Sequence, residues 1–167
     1  MAALLQEIIN YTHTLLMPER YRDYCPNGLQ VEGKPLVQRI VSGVTASQAL
    51  LDAAIEQGAD LVLVHHGYFW KGEAETITGM KKQRLKTLLL HDLNLLAYHL
   101  PLDGHPELGN NAQLAARLGL QISGGLEADN PLSIGLVGRL PQPMPAEAFA
   151  EQVAQVLGRE VLHIAGG

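Results

Sequence analysis

The spacing of hydrophobic positions changes several times along the chain, and each change marks an element. Leu4, Leu5, Ile8, Ile9, Thr12, Leu15 and Leu16 recur on one helical face, which predicts an amphipathic helix over 3–16 ended by Pro18. Residues 20–35 lose that pattern and collect turn formers: Asp23, Pro26, Asn27, Gly28, Gly33 and Pro35. Beyond them, strand and helix patterns alternate. The expected strands are 38–44, 60–64, 93–98 and 120–123, and the expected helices are 47–57, 81–91 and 111–118. After Gly124-Gly125 come a strand-like run at 132–138, a stiff connector holding Pro141, Pro143 and Pro145, a helix over 146–157 and a strand over 160–164.

Alternating strands and helices imply an α/β fold, a mostly parallel sheet with helices on both faces. The unbroken apolar runs Leu61-Val62-Leu63-Val64 and Leu95-Leu96-Ala97 suit strands covered on both sides. Residues 1–125 read as one α/β domain, and 126–167 as the start of a second lobe that is incomplete. The final strand leads into Gly166-Gly167 like a loop entered and not left, so the expectation is a truncated piece of a longer protein.

In open α/β sheets, sites form beyond the carboxyl ends of the strands. Two apolar runs stop there at histidines, at His65-His66-Gly67 and at His99-Leu-Pro-Leu-Asp103. Imidazole and carboxylate together suit zinc, iron, nickel or manganese. Adjacent strand residues point to opposite faces, so His65 and His66 reach one ion only if the strand has ended and twisted, which Gly67 permits. Otherwise each serves one of two ions roughly 3.5–4 Å apart, as in many hydrolases. His105, two residues past Asp103, is a candidate proton shuttle, its ordinary pKa lying near neutrality. Tyr68, Phe69 and Trp70 either stack a heterocycle above the site or plug a loop. Asn110 and Asn111 read as helix caps, as do Thr45 and Ser47. His13, His91 and His163 read as a helix polar-face residue, a helix C-terminal cation and a strand residue.

Composition narrows the picture. A net charge of -5 argues against nonspecific nucleic-acid binding; the local cluster Lys81, Lys82, Arg84 and Lys86 reads as a solvated helix face. The lone Cys25 excludes an internal disulfide and, with no signal peptide or membrane span in the sequence, gives the expectation of a cytoplasmic protein. Cys25 itself reads as structural. No glycine-rich phosphate loop or Ser/His/Asp set is present.

Three segments together, Asn27-Gly-Leu-Gln-Val-Glu-Gly33, His65-His-Gly-Tyr-Phe-Trp-Lys-Gly72 and His99-Leu-Pro-Leu-Asp-Gly-His-Pro-Glu-Leu-Gly-Asn-Asn111, closely resemble the NIF-three-like family. Its bacterial members are also named type-two GTP cyclohydrolase-one homologues. The resemblance runs over essentially the whole chain, with Gly104 replacing an alanine. It implies a dinuclear divalent-metal site, ligands at His65, His66 and Asp103 with His99 also there, and a homohexameric ring with sites facing an internal cavity. The family's remaining ligands, a His and a Glu four residues later, lie in a C-terminal segment that this sequence does not include, and His163 does not match them. Two functional expectations follow. One is a metal-dependent hydrolase of a nucleotide or related heterocycle, with Tyr68 or Trp70 holding the ring. The other is a non-catalytic metal-binding, metal-delivery or regulatory protein.

Overall fold

A computed structural model describes residues 2–166, which divide into two compact units, the first ending at Leu102 and the second beginning at Asp103. In the first, β1 (Ala3–Leu4) leads into α1 (Leu5–Leu16). The helix ends at Met17, in the left-handed region at φ 45°, followed by a 3-10 turn over Pro18–Arg20. Then come β2 (Gly28–Val31), β3 (Leu36–Val37), β4 (Ile40–Thr45), α2 (Gln48–Glu56), β5 (Leu61–His66), α3 (Gly79–Leu90) and β6 (Asn94–Ala97). Ser47 caps α2, its Oγ accepting from the Leu50 N–H at 3.2 Å.

The sheet has the order β2-β6-β5-β4. β4, β5 and β6 run parallel, as expected from the alternating pattern, while β2 pairs antiparallel with β6. β2 falls inside the stretch read as turns, because Gly28-Leu-Gln-Val is too short between turn formers to announce a strand.

Alternation along β5 sends Val62 and Val64 to one side and Leu61 and Leu63 to the other. The first pair packs with Leu51 and Ala54 of α2 and Leu85 and Leu88 of α3. The second packs with Leu5, Ile8, Ile9 and Leu16 of α1, and with Leu96 and Tyr98. Helices therefore cover both faces. Fully buried Asn94 ties the start of β6 to its surroundings. Its Oδ1 accepts from Gly33 N–H at 2.7 Å, and its Nδ2 donates to the carbonyls of Lys34 at 2.8 Å and Asp60 at 2.9 Å.

One correction bears on the site. β5 does not stop at Val64 but continues through both histidines. Thr45 of β4 still pairs opposite His66, and the Ala46 N–H donates to the His66 carbonyl at 2.9 Å. Gly67 directly follows the strand's last residue. It is needed because Gln30 and Ala97 pack so closely that a Cβ there would lie 2.7 Å from Ala97 Cβ. Gln30 grips the next residue, accepting from Tyr68 N–H at 2.7 Å and donating to the Tyr68 carbonyl at 3.1 Å.

α4 (Leu100–Gly104) spans the boundary between the units in sequence. The second unit holds α5 (Asn110–Arg117), an antiparallel pair of β7 (Gln121–Gly125) and β8 (Leu136–Arg139), and α6 (Ala146–Leu157). Gln152 of α6 donates to the Leu118 carbonyl at the end of α5, at 2.8 Å. The strand expected over 160–164 does not form: Leu162 and Ile164 are exposed, and that segment pairs with no strand among the described residues. Asn110 does not cap α5 either; Gly109 holds the cap position, and the Asn110 amide donates to Asp103 Oδ1 at 2.9 Å.

Candidate metal centre

Parallel β5 and β6 end side by side, which brings the two histidine segments of the sequence to one place. One ring nitrogen each from His65, His66 and His99 lies within 4.8 Å of the other two. The ring centroids are 4.4 Å apart for His65 and His66, 5.1 Å for His65 and His99, and 5.7 Å for His66 and His99. The pleat does not part the adjacent pair, because each ring is tethered to a different neighbour. His65 Nδ1 lies 3.0 Å from the Tyr98 carbonyl just past β6, and His66 Nδ1 lies 3.2 Å from Thr45 Oγ1 at the end of β4. Thr45 thus serves His66 rather than capping a helix.

His99 has the most elaborate support. Its Nδ1 lies 2.7 Å from Asp23 Oδ1, and its backbone N–H donates to Asn27 Oδ1 at 2.7 Å. Asp23 and Asn27 come from the loop before β2, where the sequence showed only turn formers. Burial alone pushes the Asp23 carboxyl up. Hydrogen bonds from Asn27, His99, Leu100 and Tyr24 outweigh it and hold the group below its ordinary value.

Each of the three Nδ1 atoms has its own partner, Thr45 Oγ1 for His66, the Tyr98 carbonyl for His65 and Asp23 Oδ1 for His99. That is the pattern of metal-binding histidines, whose second nitrogen is held by a carboxylate, carbonyl or hydroxyl. Two nitrogens on one tetrahedral ion at 2.0–2.1 Å sit about 3.4 Å apart. Ring nitrogens at the 4.8 Å limit would close by about 1.4 Å to share one ion. The residues fit a divalent ion.

Asp23, Cys25 and His99 form a second grouping within 4.8 Å. It is a hydrogen-bonded cluster instead. Burial pushes the Cys25 thiol up to about 11, and the Asp23 charge adds to the shift, so the thiol stays protonated. That agrees with a structural Cys25.

The aromatic segment divides. Tyr68 is the plug: it is buried in the core, its hydroxyl donates to the Ala46 carbonyl at 2.8 Å, and burial pushes its pKa up to about 12. Trp70 is the wall of the site. Its ring stands edge-on to His99 at 4.9 Å and 6.0 Å from His66, fixed by Nε1 donating to the Gly67 carbonyl at 3.1 Å. Beside it lies a cavity of about 410 Å³ lined by Phe69, Trp70, Glu73, Glu75, Ile77 and Lys81.

In the second unit, Asp103 carries the Asn110 amide on one carboxylate oxygen. His105 Nδ1 accepts from the backbone N–H groups of Glu107 at 3.2 Å and Leu108 at 3.0 Å, so a proton it exchanges must sit on Nε2. His13 packs on Tyr98, whose hydroxyl is 3.0 Å from its Nδ1. His91 ends α3 as its cap residue, and His163 is exposed in irregular chain.

The architecture and sequence have clear relatives. A Pseudomonas aeruginosa protein named "GTP cyclohydrolase 1 type 2 homolog" is 60% identical over 167 residues, covering 100% of this chain and 66% of its own length. A Vibrio cholerae protein of the same name is 59% identical over 161 residues, 96% of this chain and 62% of its own length. Among solved structures, that of protein ybgI, described as of unknown function, superposes with a TM-score of 0.89 at 53% identity. It covers 96% of this chain and 63% of that one. TTHA1606 from Thermus thermophilus gives a TM-score of 0.84 at 38% identity, covering 96% and 64%. The chain thus spans somewhat under two thirds of the length of these relatives. Residues 3–167 match the Duf34/NIF3 (NGG1p interacting factor 3) family, and the chain belongs to it.

Proposed function

We propose that this chain carries part of a dinuclear divalent-metal centre, with His65, His66, His99 and Asp103 as ligands, and that the centre hydrolyses a nucleotide or related heterocycle. The observation that supports it most is the convergence of three imidazoles whose Nδ1 atoms all face outward partners. A bound zinc, iron, nickel or manganese ion supplies Lewis acidity and activates water near neutral pH. The chain's own residues do the rest. Thr45, the Tyr98 carbonyl and Asp23 hold the three rings, and Trp70 shields one side from water while offering an apolar face to a flat ring. His105 gives or takes a proton at Nε2, since Nδ1 is committed to two backbone N–H groups. A homohexameric ring is part of the same proposal, by resemblance to the family; light scattering of the full-length protein tests it.

The test of function is turnover of a nucleotide panel by metal-loaded protein, beside His65→Ala and Asp103→Ala. Loss of turnover in both variants supports the reading, and unchanged turnover in both refutes it. Tight metal uptake with no turnover of any nucleotide would favour a metal-delivery or regulatory role instead.

A further inference from the structure

Asp23 is a carboxylate with almost no solvent. Its side chain is 4% exposed, yet no lysine or arginine is bonded to it among the described residues. A buried carboxylate is costly unless each oxygen is satisfied. Here both are. Oδ1 accepts from Tyr24 N–H at 2.6 Å and faces His99 Nδ1 at 2.7 Å; Oδ2 accepts from the Asn27 amide and from Leu100 N–H, both at 2.8 Å. Four nitrogen donors converge on one side chain, with the Cys25 thiol 4.0 Å from Oδ1 as a weak fifth, and two of the four, His99 and Leu100, belong to the segment that carries the candidate ligands. Asn27 completes the clamp by accepting the His99 backbone N–H at 2.7 Å.

The chemistry fixes more than position. An ionised carboxylate only accepts, so the ring nitrogen facing it must donate. His99 therefore carries its proton on Nδ1, and in the neutral ring the lone pair is confined to Nε2. The carbonyl facing His65 makes the same demand, but a charge-assisted bond is roughly twice as strong as a neutral one. Of the three rings, His99 has the strongest hold.

We propose that Asp23 is a positioning residue for His99: with Asn27 it locks the ring's orientation and its Nδ1–H tautomer, which presents Nε2 to a divalent ion beside His65 and His66. The second half of that statement rests on the metal reading above; the first half does not.

The experiment separates them. Nitrogen-15 correlation spectra of the metal-free protein at pH 8 read the tautomer directly. The lock predicts a protonated, pyrrole-type Nδ1 and an unprotonated, pyridine-type Nε2 at His99. The opposite tautomer, an even mixture, or a doubly protonated ring overturns the proposal, and this arm needs no variant to fold. The second arm measures zinc affinity by competition with a chromogenic chelator, in Asp23→Asn, His99→Ala and the double variant, each checked for folding by circular dichroism. Loss of an outer partner of this kind typically weakens metal binding 10–100-fold, and that is the expected effect of Asp23→Asn. Because Asp23 acts through His99, the double variant should bind no more weakly than His99→Ala alone. A further loss in the double variant, or unchanged affinity in Asp23→Asn, overturns the proposal. A locked tautomer in a wild-type protein that binds no zinc would instead overturn the metal reading and leave the lock standing.

Discussion

Replacing Gly67 by alanine probes the tightest packing next to the histidine pair. The new Cβ would sit 2.7 Å from Ala97 Cβ and from Gln30 Cδ, against an ordinary carbon contact of about 3.5–4.0 Å. Ala97 is fully buried in β6 and cannot retreat. Gln30 can, but only by releasing its two hydrogen bonds to the Tyr68 backbone. Overpacking costs about 1–3 kcal/mol, and each lost hydrogen bond about 0.5–1.5 kcal/mol. The reduced freedom of the unfolded chain returns about 0.4–1 kcal/mol. The net is a loss of about 3 kcal/mol. With a urea slope of about 1–3 kcal/mol per molar, the unfolding midpoint should fall by roughly 1–3 M. Gln30→Ala removes one of the two obstacles, so the double variant should be less destabilised than the sum of the singles by about 1 kcal/mol. A midpoint for Gly67→Ala within error of wild type would refute the packing argument, whatever the histidines do.

Asn94→Ala strips the partners from one N–H and two carbonyls in a fully buried place. At about 1–3 kcal/mol for each unsatisfied group, urea unfolding should show a loss on the order of 3–5 kcal/mol. Asp60 accepts from Gln38 N–H, Lys34 and Arg39 N–H, which hold its carboxyl below the ordinary 3.8. Its contribution is therefore present above that value and lost as pH falls through the lower folded value, so Asp60→Asn should flatten the acid limb of a stability–pH profile. Cys25, with its thiol near 11 rather than 9.0, should be alkylated by iodoacetamide at pH 8 on the order of 100-fold more slowly in the native than in the denatured protein. Equal rates would show an open, ordinary thiol.

What the sequence made legible follows from which interactions are local. Helix α6 and the strands β4 to β6 announced themselves through apolar periodicity, since burial of Val62, Leu95 and their neighbours needs little beyond an apolar run. The positions of His65, His66 and His99 were legible for the same reason: a buried strand that ends at a histidine has to present it at the rim. The supports of those histidines were not. Asp23, Asn27 and Thr45 act across 76, 72 and 21 positions of the chain, and nothing in a loop's composition says which strand end it will close over. Asn94 was hidden likewise, a polar residue whose three partners lie 34 to 61 positions away. The continuation of β5 through His66 depends on its pairing with Thr45, a fact of register rather than of propensity. The segment 160–164 erred the other way, because an apolar alternation makes a strand only where another strand offers an edge.

The central claim is that His65, His66 and His99 converge on a metal centre through Nε2. Anomalous diffraction from crystals grown with zinc, recorded on both sides of the zinc absorption edge, tests it most directly. The account predicts zinc at about 2.0–2.1 Å from each of the three Nε2 atoms, the ligands divided between two ions, with each Nδ1 still on Thr45, the Tyr98 carbonyl or Asp23. Ordered histidine rings with no anomalous peak between them would contradict it, as would zinc bound through Nδ1.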